Sequence, residues 1–294
     1  MLNDAIIVGG SYAGMAAALQ ILRARRTVLI VDAGQRRNRF TSRSHGFLAH
    51  DGDEPAALAN AARRQLEAYP GLTWHVGTAE TVSGQRDDFV VTTGDGAVHH
   101  GRRLLFATGV VDLLPDVEGL AARWGDSVFH CPYCHGYELE SGRIGVIATG
   151  EMSVHQAQML PDWGKITFLA NDAVRLGADE RQDLEARGID IEETPIARLD
   201  GHADVVLTDG RALTFAGLFT ASRCEPGSTL PQELGCALTE TPFGLQVQTN
   251  DMKETSIAGA FACGDTARVP HSITLAVADG AWAGAVLHRS LVFG

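Results

Sequence analysis

Cys131-Pro132-Tyr133-Cys134 places two thiols two residues apart. Sulfurs at that spacing can close a small disulfide, or they can form one side of a metal site. In an intracellular α/β protein the first reading is a redox couple, in which one thiolate attacks a partner's disulfide and the other resolves the mixed intermediate. The second reading is half of a zinc site, which needs two further ligands. His130 and His135 flank the motif, but Cys224, Cys236 and Cys263 lie singly and offer no second close pair. The expectation is therefore a redox pair and no metal.

Such a pair needs a scaffold, and the chain opens on one. An apolar run from Ala5 to Val8 leads into Gly9-Gly10-Ser11-Tyr12-Ala13-Gly14, and the alanine-rich segment Met15 to Arg25 has helical spacing. In a strand, turn and helix of this kind, glycines let the backbone approach a pyrophosphate, and the helix start supplies N–H groups and the positive end of a dipole. Ser11 stands where the second glycine of G-x-G-x-x-G would be. Val28 to Val31 reads as the next strand and ends at Asp32, an acid placed to accept hydrogen bonds from a ribose. The competing reading is an ordinary buried βαβ turn.

A fainter copy begins at Ile144-Gly145-Val146-Ile147, turns through Ala148 to Ser153, continues into Val154 to Met159, and reaches a second strand at Lys165 to Leu169. Arg103 to Gly109 reads as a strand running into a sharp turn. Phe261-Ala262-Cys263-Gly264-Asp265 and an apolar helix from about Thr274 to Leu291 close the chain. The expected architecture is α/β, with two nested Rossmann-like domains. Residues 1–115 form the first part of the outer domain, 116–242 the inserted domain, and 243–294 the second part of the outer domain. Pro and Gly cluster at Leu114 to Gly119 and at Thr241 to Gly244, which read as linkers.

The composition restricts the partners. With 294 residues, 45% of them hydrophobic, the chain can bury two cores. Acidic residues outnumber basic ones by 36 to 24, and the net charge of −12 argues against a general nucleic-acid surface or an anionic membrane. No run of 18 apolar residues appears, and the first strand starts at Asp4-Ala5-Ile6 with no basic and apolar leader. A cytoplasmic address is expected, and its reducing conditions suit a catalytic cysteine pair better than a structural disulfide framework.

Four blocks, GGSYAG at 9–14, FATG at 106–109, CPYC at 131–134 and ACGD at 262–265 followed by a helix, give a resemblance over nearly the whole chain. The chain resembles the low-molecular-weight thioredoxin reductase family of flavoproteins. The resemblance implies FAD on the split outer domain, a redox disulfide on the inserted one, and a homodimer. It assigns Gly9, Gly14 and Asp32 to the pyrophosphate and ribose, Asp265 to the ribityl region and the helix start near Thr274 to the pyrimidine edge of the flavin, with Ser11, Thr108, Gly109 and Gly264 also among the cofactor-binding residues. It also implies that Cys134 faces the flavin and that Cys131 meets the partner sulfur, with a helix after the motif lowering the thiolate pKa.

Two departures from the family pattern bear on function. The first glycine of the inserted domain's turn is Ala148, and where NADPH-using members carry a His-Arg-Arg cluster this chain has Ala170-Asn171-Asp172. NADPH binding is expected to be weak or absent, because bidentate Arg–phosphate pairing is lost and a carboxylate stands in its place. NADH remains open. The second departure is His135, directly after the cysteine pair, where thioredoxin reductases carry Asp. The C-x-x-C-H-G-Y-E segment is similar to flavin-dependent dithiol oxidases that close disulfides in natural products such as gliotoxin and holomycin. An imidazole titrating near neutral pH can take a proton from an incoming thiol; its other reading is a local hydrogen bond or a helix cap. The expected partner is a small dithiol or disulfide, or else a thioredoxin-like protein. His45-Gly46 and Asp51-Gly52, in the Arg-rich loop after Asp32, resemble a flavin-approach loop or are plain surface.

Overall fold

A computed structural model describes residues 2–294, and its packing divides the chain into two compact units. The first comprises the segment ending at Arg39, Phe47–Val111 and Cys224–Gly294. The second comprises Phe40–Gly46 and Asp112–Arg223. The chain thus returns to the first unit at Cys224, earlier than the expected boundary at 243. Thr241 to Gly244 is a hairpin turn between the strands Leu238–Thr241 and Gly244–Val247, inside the first unit. Its glycine serves the turn: Gly244 has φ +116, and a Cβ there would lie 2.0 Å from the Cys224 carbonyl oxygen.

The first unit is built on β1 (Leu2–Val8), α1 (Tyr12–Arg23), β2 (Val28–Asp32), α2 (Pro55–Glu67), β3 (Leu72–Val76), β4 (Ala79–Gln85), β5 (Asp88–Thr93) and β6 (Val98–Phe106). The sheet order is β3-β2-β1-β6-β5-β4. β1, β2, β3 and β6 are parallel, and the short strand Ala260–Ala262 adds to the C-terminal half of β6. Continuous apolar runs such as Val28–Val31 suit strands covered on both faces.

The C-terminal helix, Ile273–Phe293, packs on α1 at backbone distance. Gly280 and Gly284 permit this, because Cβ atoms on them would fall 2.1 Å from the Ala13 carbonyl oxygen and 2.4 Å from that of Ala17. Gly280→Ala should therefore push the two helices apart and cost about 1–3 kcal/mol. The measurement is the thermal midpoint; one equal to wild type would refute this close packing.

The second unit repeats the parallel pattern. Its strands run in the order Asp190–Glu192, Lys165–Leu169, Arg143–Ile147, Gly217–Thr220, Val128–Phe129, and an antiparallel sheet of Ile196–Asp200, Asp204–Leu207 and Ala212–Thr214 accompanies them. The two sheets share a core that includes Ile147, Leu169, Leu199, Val205 and Leu218. No helix among the described residues is long and apolar enough to cross a membrane.

Candidate active site

In the first unit the expected nucleotide residues gather at the C-terminal ends of β1, β2, β6 and Ala260–Ala262, the usual ligand edge of an open parallel sheet. Gly9 has φ +106, and a Cβ on it would strike the Ala107 carbonyl oxygen at 2.3 Å. Gly14 sits against the Gly9 carbonyl oxygen, where a Cβ would lie at 1.9 Å. Ser11 is the N-cap of α1 but makes no side-chain capping bond, so the first amides of the helix keep their donors for an anion. Asp32 Oδ1 accepts from the Gly10 N–H at 3.1 Å.

Thr108 Oγ1 donates to Thr266 Oγ1 at 3.3 Å, and Gly109 turns with φ +65. Gly264 donates its N–H to Asp279 Oδ2 at 2.9 Å. Asp265 directs Oδ2 at Arg37 Nη1, 3.4 Å away, whereas its Oδ1 is buried with no hydrogen-bond partner. Arg37 also lies 3.0 Å from His271 Nδ1; sequence reading did not single out this arginine, whose only signal was the run of arginines after Asp32. Thr274 is the second residue of the C-terminal helix, whose cap is Ser272 Oγ accepting from the Leu275 N–H at 3.2 Å. The glycine cradle and the orphaned Asp265 oxygen fit a dinucleotide: the cradle admits phosphates, and the oxygen lacks a hydroxyl donor of the kind a ribityl chain carries.

In the second unit Cys131 is the N-cap of α3 (Pro132–His135), and Cys134 lies in its single turn. Both cysteines are half-buried. Pro132 at the first helical position presets the backbone for this turn. The helix expected at the motif is this single turn followed by a 3-10 turn, Tyr137–Leu139, which left-handed Glu140 (φ 51) and Ser141 (φ 58) end. Gly136 follows because a Cβ there would meet the Trp163 ring at 2.5 Å. Tyr133 stands edge-on to Trp163, with centroids 5.3 Å apart, and remains exposed, as does Tyr137.

His135 stacks on Phe129, with centroids 4.2 Å apart and planes at 12°. Its Nε2 lies 3.2 Å from Thr41 Oγ1, and its Nδ1 is buried without a hydrogen-bond partner. Burial first, and then repulsion from His45, lower its pKa to about 4. The expectation of an imidazole titrating near neutral pH is thereby corrected: the ring is a neutral base throughout that range. His45 Nε2 in turn lies 3.4 Å from Glu138 Oε1. A cavity of about 370 Å³ is lined by Thr41, Arg43, His45, Phe129, His135 and Glu138 among others. The loop expected to be either a flavin approach or plain surface therefore contributes residues 40–46 to this unit.

Cys224, Cys236 and Cys263 are buried. Among the described residues no group of three or more His, Cys, Asp or Glu could hold a metal ion.

The paired cysteines and the glycine-cradled sheet edge define a pyridine nucleotide-disulphide oxidoreductase, and the chain belongs to that family, whose pattern matches residues 3–280. It is a flavin-dependent disulfide oxidoreductase of thioredoxin reductase-like type. The chain is similar to thioredoxin reductase sirT of Leptosphaeria maculans, 32% identical, with 96% of this chain and 92% of that one covered. It is also similar to thioredoxin reductase aclD of Aspergillus oryzae, 30% identical with 99% and 97% covered. The crystal structure of an oxidoreductase from Agrobacterium tumefaciens superposes with a TM-score of 0.97 at 51% identity, covering 100% of this chain and 99% of the other.

Proposed function

We propose that this protein is an FAD-dependent dithiol oxidase, a cytoplasmic homodimer that closes disulfides in small dithiols and passes the electrons to dioxygen. His135 carries the reading. A neutral imidazole directly follows Cys134, one of its nitrogens has no partner, and a cavity of small-molecule size lies beside it.

A substrate thiol gives its proton to His135. The resulting thiolate attacks Cys131 Sγ, the Cys131–Cys134 bond breaks, and Cys134 leaves as the thiolate. His135 passes its proton to the Cys134 thiolate and takes the proton of the second substrate thiol, whose thiolate attacks the substrate sulfur of the mixed disulfide and releases Cys131, to which His135 returns that proton. The substrate has then lost two electrons and two protons, and both cysteines are reduced. FAD, when bound through Gly9, Ser11, Gly14, Asp32, Gly264 and Asp265, supplies a two-electron acceptor for the cysteine pair. The exposed rings of Tyr133 and Tyr137 offer apolar surface beside the motif to a substrate that is not a protein.

The nucleotide corner of the second unit supports an oxidase over an NADPH-driven reductase. Ala148 is buried in the turn, and the Thr149 N–H, a donor suited to a phosphate, donates to Ser153 Oγ at 2.9 Å. Asn171 Oδ1 accepts from the Ile196 N–H at 2.9 Å, so this residue holds the chain. Asp172 is exposed. Arg211 reaches the strand end there, but it is paired with Glu192 at 2.7 Å and holds that carboxyl down at about 2.

The names of the relatives favour a second reading, a thioredoxin-disulfide reductase drawing electrons from NAD(P)H. Anaerobic mixing of the flavin-loaded protein with dithiothreitol, NADPH and NADH in turn separates the two. The oxidase reading expects bleaching by the dithiol and stoichiometric hydrogen peroxide when air is admitted. Bleaching by micromolar NADPH within milliseconds, with electrons passed to thioredoxin, would establish the reductase instead.

A further inference from the structure

Thr41 has one hydroxyl proton and two neighbours that could take it, the Arg43 carbonyl oxygen at 2.9 Å and His135 Nε2 at 3.2 Å. A carbonyl oxygen can only accept, so the bond to Arg43 has one possible polarity and uses the proton. The hydroxyl then faces His135 with a lone pair, and Nε2 must be the donor. Stacking on Phe129 confines the ring to its own plane and leaves two settings related by a flip. Only one of these brings a ring N–H to Thr41. The opposite nitrogen, Nδ1, is buried and has no partner.

We infer that Thr41 is a positioning residue that holds His135 in the Nε2–H tautomer, so that Nδ1 is the atom that accepts the substrate thiol's proton. The inference rests on the proposed role of His135 as base and adds to it the atom used and the group that selects it. A hydroxyl does this without a charge, unlike the carboxylate that orients histidine in many hydrolases. The ring is held in place while its basicity stays low. The charged and titratable groups around the same cavity, His45, Arg43 and Glu138, make no hydrogen bond to that nitrogen.

The test is 15N NMR of the flavin-loaded protein labelled at histidine, with the His135 signals assigned by their loss in His135→Gln. Wild type should show a protonated Nε2 and an unprotonated Nδ1. Thr41→Ser should preserve that pattern, and Thr41→Val should shift it toward a mixture of tautomers. In parallel, anaerobic flavin reduction by dithiothreitol should slow roughly three- to tenfold in Thr41→Val, the weight of one neutral hydrogen bond, and recover in Thr41→Ser. A protonated Nδ1 in wild type, or an unchanged tautomer in Thr41→Val, overturns the inference whatever the reaction. A wild-type rate in His135→Gln with the tautomer pattern as expected would leave Thr41 its positioning role and remove the base from the proposed mechanism.

Discussion

His135→Ala is expected to slow dithiol-driven reduction of the bound flavin by roughly 10²–10⁴-fold at neutral pH, the usual scale of a lost general base. Flavin content should be unchanged, since the nucleotide residues belong to the other unit. With its pKa lowered to about 4 by burial and by His45, the imidazole is fully in the basic form at pH 6 to 8. Its titration therefore adds no inflection to the wild-type rate in that window. A variant as fast as wild type across pH 6 to 8 would remove His135 from the chemistry.

The same shift has a stability signature. The folded pKa lies below the unfolded value of about 6.5, so between pH 6.5 and 4 the unfolded chain binds a proton that the folded one refuses. The stability contributed by the neutral ring is present above pH 6.5 and is lost as pH falls through 4, up to about 3 kcal/mol. Denaturant titrations should show wild type losing this increment on acidification and His135→Ala keeping it.

The second large effect concerns the nicotinamide cofactor. NADPH should reduce the flavin at least tenfold more slowly than a small dithiol does, since each missing charge-assisted phosphate contact is worth about 1.5–3 kcal/mol. Asp172→Arg is the informative change, because Asp172 is exposed and removing it replaces a repulsion by an attraction. Asn171 is better left alone: it sits at φ 50, which asparagine tolerates well, and it caps the Ile196 amide. Asp172→Arg should lower the NADPH concentration for half-maximal flavin reduction about tenfold, with little change for NADH, which lacks the 2′-phosphate. Equal gains for both nucleotides would show that the residue does not face the phosphate.

Local pattern was enough to read the scaffold. Lys165–Leu169 came out with its observed bounds because Ile166 to Leu169 is a short run of strand-favouring residues. The Gly9 turn was readable because its residue types are forced by atoms 1.9 to 2.3 Å away. The surroundings of His135 were not readable. Thr41 is 94 residues distant in the chain, and its loop has no periodicity to announce a partner. Burial and the neighbouring His45 set the ring's basicity, and both are properties of the packed molecule. Pro and Gly at Thr241–Gly244 were ambiguous for a related reason, since a tight hairpin and a linker call for the same residues. The stop after Leu139 turned on Glu140 and Ser141 adopting left-handed backbone, which neither residue type advertises.

The second unit draws its segment Phe40–Gly46 from within the first unit's stretch of sequence, so its chemistry is not a cassette. A graft of residues 112–223 into another flavoprotein would carry both cysteines and the histidine but leave behind the hydroxyl that steadies the ring. Exchange of this module between relatives by recombination would have to move two separate pieces of coding sequence together. Lineages that changed one without the other would inherit the reactive residues with their proton acceptor misaligned.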